Sequence, residues 1–449
     1  MKIIETSLDY DQFLSENAAN DWLVIPIYAN GNYPVHLDSI SLLYVYVLLK
    51  DTEYMISFNH TEALGINQKQ LDRIPKDNRM YVYNKKRFYA FCKNYNLIDI
   101  DLVKYFETNT PFEDDFDTSA HEWFTRNFQY FKNLNTIIPI LKHYERCTNI
   151  KNAFLEYYTP DIKEHAAFIN YNDKFINSFY NIEKNGLYAN YDTFHKYYLD
   201  TQYFNGYTFS EYNLYTSTGR PSNRFGGINF AALNKDNGSR ASFTSRFGKD
   251  GFLINFDFDG YHLRLLADLV NYDFPTNESI HKYLGRYYFN KTDLTDDEYE
   301  QSKKISFRLL YGGISKEFLH IEYFKRINDL TKVLWQSYNE VNYIETPIFN
   351  RRLYKNFFND MNASKLLNYY LQCFETERNC MILDGINQNK FESKIILYTY
   401  DSLLVDFNKA DGAEYIRYIK SEMEQTKFPV KISIGPDYHN LVTVDSNKI

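Results

Sequence analysis

Cysteine is scarce in this chain: 449 residues carry 4, Cys92, Cys147, Cys373 and Cys380. None stands in a C-x-x-C pair or at zinc-ligand spacing, which excludes a thiol metal site and fits reduced core thiols in a cytosolic setting. No run of 18 apolar residues occurs, so neither a membrane span nor a membrane partner is expected. The opening segment, MKIIETSLDYDQFL, is charged early and lacks the apolar stretch of a secretory signal. A cytoplasmic location is therefore expected. An excess of positive charge is missing too: 50 Lys and Arg against 58 Asp and Glu leave a net charge of −8. Nucleic-acid binders are commonly basic, so the balance argues mildly against one, without excluding an enzyme whose basic residues line one cleft. No internal repeat and no low-complexity linker interrupts the chain.

What is present is the material of a globular protein. The length predicts two or three domains with a sizeable core, and 44% of residues are hydrophobic. Aromatics reach 18%, with 43 Tyr and 36 Phe. That excess, with the many Asn, Lys and Ile, suits an AT-rich genome and is no sign of a binding surface. Strands are predicted at Trp22–Tyr28, Leu42–Leu49 and Tyr54–Phe58, with a turn at Asn30-Gly31-Asn32. Residues 85–180 read mainly as helices, and 175–186 as an amphipathic helix closed by Gly186. Residues 215–250 read as loop. Further helices are expected over 278–312, 316–340 and 361–385, and a last strand at Val430–Gly435 is expected to end the regular structure.

Chemistry concentrates in three segments. The apolar run Phe252–Phe256 reads as a buried strand that delivers Asp257 to its end, with a helix over Leu263–Val270 after it. A second strand, Lys394–Tyr400, delivers Asp401 likewise. Two strand-end carboxylates are what a two-metal phosphoryl-transfer site needs, because together they hold two divalent ions roughly 4 Å apart. Between them lies a helix with Lys303, Phe307 and Tyr311 at i, i+4 and i+8, hence on one face. A cation there can meet a triphosphate and the rings can stack on bases. A third segment, Ser217 to Asn229, is rich in small residues that allow close backbone approach, and carries Arg220 and Arg224 for phosphate. Arg240 and Arg246 add local positive charge, of the kind primer or template phosphates require.

The order T-G-R-x-S (from Thr218), D-x-x-x-x-x-L-R (from Asp257), K-x-x-x-F-x-x-x-Y-G (from Lys303) and a strand ending in Asp401 resembles the family A DNA polymerases, over roughly residues 170–445. The resemblance implies an α+β right-hand polymerase: an antiparallel palm sheet, helical fingers and a reduced thumb, preceded by an RNase H-like α/β exonuclease-type domain. It implies that Asp257, Asp401 and the Phe258 carbonyl hold two Mg²⁺ ions, with Mn²⁺ able to substitute. Lys303 and His281 would meet the triphosphate, Phe307 the sugar and base, and Tyr311 the insertion site. Arg264 resembles a buried motif arginine. Arg220 and Ser222 resemble primer-strand contacts, with Arg224 and Arg240 beside them, and Asn368 and Gln372 resemble minor-groove readers. Residues 182–187 resemble the segment that opens the thumb. The implied partners are primer–template DNA and dNTPs.

Departures qualify the resemblance. His262 stands where the family has a Glu that gates the sugar. Tyr299 stands where it has an Arg four residues before the Lys, so one link to the triphosphate is missing or is supplied by Arg308 or Lys304. Ser402 stands where it has a Glu after the motif C Asp. Only about 30 residues separate Gly186 from Gly219. That is short for a thumb and predicts weak grip on duplex unless a processivity factor or replisome partner compensates. The expected domains are 1–165, exonuclease-like, and 166–449, polymerase. Within the latter, 166–215 would be thumb, 216–275 and 386–449 palm, and 276–385 fingers and connecting helices. The segment 22–28 contains no acid, so the D-x-E of a two-metal nuclease is absent and the first domain reads as a degenerate, inactive exonuclease. Two alternatives stay open: a sugar-tolerant or RNA polymerase, motivated by His262, and an inactive polymerase fold serving as a DNA-binding scaffold. A compact chain of this kind suits a bacteriophage replication enzyme working in a bacterial cytoplasm, or an AT-rich bacterium.

Overall fold

The structure, a computed structural model, describes residues 1–31, 34, 37–92, 96–113, 134–159, 166–199, 201–223, 228–387 and 390–445. Its chain divides into two units, Met1–Tyr180 and Asn181–Ile449.

The first unit is organised by a six-stranded sheet of β1 (Lys2–Ile4), β2 (Trp22–Tyr28), β3 (Ile40–Val47), β4 (Thr52–Ser57), β5 (Arg79–Val82) and β6 (Asn96–Asp99). The strands lie in the order β1-β4-β3-β2-β5-β6. β2, β3 and β4 form an antiparallel meander, and β5 and β6 continue parallel to β2. That is RNase H-like topology, with β1 added parallel to β4 at the edge. Every residue of β2 and β3 is buried, as the unbroken apolar runs require. Helix α1 (Ser7–Asn17) packs Phe13 onto Trp22, ring centroids 5.0 Å apart. Helices α2 (Ile100–Thr108) and α3 (Ile140–Tyr157) complete the layers. β6 is an exception within the mainly helical stretch 85–180: the short apolar run Leu97–Ile98 pairs with β5.

A helix, α4 (Ile176–Asn185), ends at Gly186, whose φ of +60° is the left-handed conformation expected of a C-cap. The second unit is built on a five-stranded antiparallel sheet. Its strands are β7 (Gly251–Phe258), β8 (Lys394–Tyr398), β9 (Ser402–Asn408), β10 (Val430–Gly435) and β11 (Val442–Val444). Their order is β8-β9-β7-β10-β11, so the strand at 430–435 is not the last. Along β7, Ile254, Phe256 and Phe258 are buried while Asn255 and Asp257 are half-exposed. The alternation gives the sheet one apolar face and one polar face.

Around the sheet stand α5 (Tyr261–Leu269), α6 (Ile280–Phe289), α7 (Asp296–Gly312), α8 (Glu322–Val341), α9 (Ala363–Asn387) and α10 (Gly412–Glu424). The helical segment 278–312 comprises two helices. Asn290 closes α6 at φ +50°, and Thr295 with Glu298 forms a capping box that starts α7. Gly260 joins β7 to α5 at φ +61°, and a Cβ there would lie 2.2 Å from Ile280 Cγ2. Both the turn and the close approach of α6 therefore demand glycine.

Candidate active site

Asp257 ends β7, and its cross-strand neighbours are Ser402 on one side and Lys431 on the other. Side chains directly opposite share a face, so Asp257, Ser402 and Lys431 leave the polar face together. Asp401 sits in the β8–β9 hairpin, its carbonyl accepting from Phe258 N–H at 3.0 Å. Tyr400 just before it has φ +64°, costly for a side chain of that size. Asn379 of α9 holds the turn by donating to the Tyr400 carbonyl at 2.8 Å. The two aspartates open onto a cleft of about 420 Å³, lined also by Lys235, Arg240, Asn255 and Tyr438.

Among the described residues neither aspartate has an ion-pair partner. Burial, and after it the charge of Asp401, pushes Asp257 up to about 7. Burial and then Glu375 push Asp401 upward as well. Two like charges at one cleft, Asp257 half-exposed and Asp401 exposed, lack a counter-cation, and hard oxygen donors suit Mg²⁺ or Mn²⁺. Among the described residues no group of three or more His, Cys, Asp or Glu side chains is placed to hold a metal ion. A metal here would rest on the two carboxylates and backbone carbonyls such as that of Phe258.

Lys303, Phe307 and Tyr311 share one face of α7, as their spacing predicts. The rings of Phe307 and Tyr311 lie 1° from parallel with centroids 6.1 Å apart, and each residue is 42% exposed, open to stacking. Lys303 pairs with Glu300 at 2.6 Å and lies over the Tyr299 ring; so exposed a pair is readily exchanged for a better anion. The His281 ring is 5.6 Å from Phe307. Burial drives its pKa down to about 4; Asp259 opposes this, while Lys303 and Lys431 assist. At neutral pH it is an uncharged donor. Lys304 and Arg308 are exposed.

His262 is nearly buried. Its Nδ1 is 2.8 Å from the Tyr311 hydroxyl, and its Nε2 is 3.0 Å from Glu375, a buried side chain of α9. Arg220 Nε reaches Glu375 at 2.7 Å, and its guanidinium covers the Tyr400 ring at 3.7 Å. Burial alone would raise the Glu375 carboxyl; His262 and Arg220 outweigh it and hold it low. Gln372 accepts from Thr218 at 3.0 Å and donates to Asn368 at 3.3 Å. Ser222 is half-exposed in a short strand, and Arg240 stacks on Tyr438. Arg246 is committed to the buried Asp406 at 2.7 Å, and Arg264 is buried against Asp259. Arg224 lies outside the described residues.

Sequence reasoning does not single out Glu375, Lys431, Asp259 or Lys235. Lys431 alone leaves a trace: it is the charged position in the alternating V-K-I-S-I-G strand.

Two residues beyond Glu375, Glu377 is also buried, and there Thr346 and Arg351 lower the carboxyl without offsetting burial. It accepts from the N–H groups of Ile348 and Phe349 at 2.9 and 3.1 Å, yet burial pushes it up to about 7. A raised folded-state pKa gives stability that is present below the unfolded value and lost as pH rises through about 7. Glu377→Gln removes this loss. Its advantage over the wild type in denaturant unfolding should grow by roughly 1–3 kcal/mol between pH 5 and pH 8; parallel curves would contradict the assignment.

No protein-family model and no curated protein matches the chain. Among solved structures it is similar to the POL domain of Pol1 from M. smegmatis, in complex with DNA primer-template and dNTP. The TM-score is 0.70 at 13% sequence identity, over 98% of this chain and 100% of that one. At that identity the likeness speaks for the fold alone: the chain has the α+β fold of a polymerase domain.

Proposed function

We propose that the protein is a template-directed DNA polymerase that adds dNTPs to a primer 3′ end by two-metal phosphoryl transfer. The observation that carries this reading is the unpaired couple Asp257 and Asp401, side by side on the polar face of an antiparallel sheet in a chain with a polymerase-domain fold. The primer hydroxyl attacks the α-phosphorus, the bond to the β-phosphate breaks and pyrophosphate leaves. Asp257, Asp401 and the Phe258 carbonyl would hold two Mg²⁺ ions, which when bound acidify the hydroxyl and neutralise the leaving group. Lys303 and the neutral His281 donate to the triphosphate. Phe307 and Tyr311 stack on the base pair. His262, held between Tyr311 and Glu375, edges the sugar.

Arg220, Ser222 and Arg240 would meet the DNA backbone, with Arg224 joining them by its place in the sequence, and Asn368 and Gln372 would read the minor groove at the primer end. Residues 166–449 form the polymerase domain, with 166–215 as reduced thumb. Residues 1–165 form a degenerate exonuclease without proofreading, since β2 carries no acid. No described helix is long and apolar enough to cross a membrane. Replication in a bacterial or phage-infected cytoplasm, with a processivity partner for the short thumb, suits these features.

Primer extension with Mg²⁺, dNTPs beside rNTPs, tests the reading. Extension with dNTPs alone is expected. Extension with both would favour the sugar-tolerant enzyme that His262 suggests. Tight primer–template binding without extension would sink the proposal in favour of a scaffold.

A further inference from the structure

We propose that Lys431 binds the triphosphate of the incoming nucleotide, an inference that rests on the polymerase reading. Lys431 stands in β10 directly opposite Asp257, on the same face of the sheet. Its ammonium lies 2.5 Å from Asp259 Oδ1. The other oxygen of that carboxylate is 3.4 Å from the backbone N–H of Ile280, the residue before His281. One carboxylate thus holds the Lys431 ammonium between the aspartate couple and the start of α6. A triphosphate reaching from the Asp257 carboxylate to His281 would pass this point.

The cation also answers a deficit. Tyr299 occupies the place where an arginine is expected, and the substitutes expected for it are Lys304 and Arg308. These follow the Lys303 face of α7 by one residue, about 100° around the helix, and both are exposed. Lys431 instead comes from the opposite wall of the site, the palm sheet. Its side chain is 53% exposed and that of Asp259 only 7%. Asp259 also keeps Arg264, at 3.4 Å. Lys431 can therefore turn from Asp259 to a phosphate without leaving that buried carboxylate unpaired, and a charge-assisted contact replaces another of its kind.

Single-nucleotide incorporation by wild type, Lys431→Ala and Lys431→Arg tests this, with inorganic pyrophosphate as product inhibitor. Lys431→Ala should raise KM for the dNTP about tenfold and weaken pyrophosphate inhibition similarly, with primer–template Kd unchanged. Lys431→Arg should restore most of both. An anchor that merely positions Asp259 would lower Tm and kcat, leave KM and pyrophosphate inhibition in place, and be mimicked by Asp259→Asn; that outcome overturns the inference. If the wild type extends no primer, the polymerase reading fails separately. Lys431 is then judged by calorimetry with dATP and Mg²⁺, where equal affinities of wild type and Lys431→Ala overturn it as well.

Discussion

Asp257→Ala and Asp401→Ala should each reduce primer extension by roughly 10³-fold or more while primer–template binding persists. The loss follows from the geometry: the carboxylates come from different segments, Asp257 on β7 and Asp401 in the β8–β9 turn, so neither can replace the other as a metal anchor. Removing both should cost little beyond removing one, because residues acting as a unit are strongly non-additive. Stability should move the other way. Asp257 is half-exposed and fills no core, and its charge is held against burial and against Asp401, which is why it is pushed up to about 7. Taking it away relieves that penalty, so the Tm of Asp257→Ala in EDTA should equal or exceed that of the wild type. The pairing of lost activity with undiminished stability separates a chemical role from a structural one. Extension within about tenfold of wild type in either variant, or a Tm that falls with the activity, would refute the assignment.

Short-range patterns are legible in the sequence. A strand–Asp–helix succession announces itself by a change of period from 2 to 3.6, and Lys303, Phe307 and Tyr311 declare a shared face by spacing alone. Even the break between α6 and α7 has a local sign, since Thr295-x-x-Glu298 is a capping-box signature. The rest depends on which charges the fold desolvates. Glu375 belongs to a polar run, Glu375-Thr376-Glu377-Arg378, three of whose residues are charged, and in sequence such a run reads as solvated. All four are buried, because α9 passes through the unit and not over it. Lys431 gains meaning only from its register against Asp257, which is set by sheet pairing between segments some 170 residues apart. His262 reads in the sequence as a missing carboxylate. The carboxylate stands on α9 instead, reaching His262 from across the site.

Glu375→Gln should destabilise the protein by roughly 3–5 kcal/mol and loosen sugar discrimination. The glutamate is the common partner of two side chains drawn from separate segments, the Arg220 guanidinium ahead of β7 and the His262 ring on α5. Glutamine keeps the volume and removes the charge. Arg220, whose side chain is 28% exposed, is then left beside Tyr400 with no anion to balance it, and the His262 ring is no longer held with Nδ1 toward Tyr311. The folded-state carboxyl is held below its ordinary range. Its contribution is thus present above the unfolded pKa of about 4.5 and lost as pH falls through the folded value. Unfolding curves of wild type and Glu375→Gln should therefore diverge at pH 7 and converge toward pH 3. The functional consequence is measured separately, as the ratio of dNTP to rNTP incorporation at a temperature where both proteins are folded. If Glu375 serves only stability, that ratio is unchanged. If it holds His262 against the sugar, the ratio falls, and His262→Ala lowers it without further loss in the double variant, because both substitutions release the same imidazole.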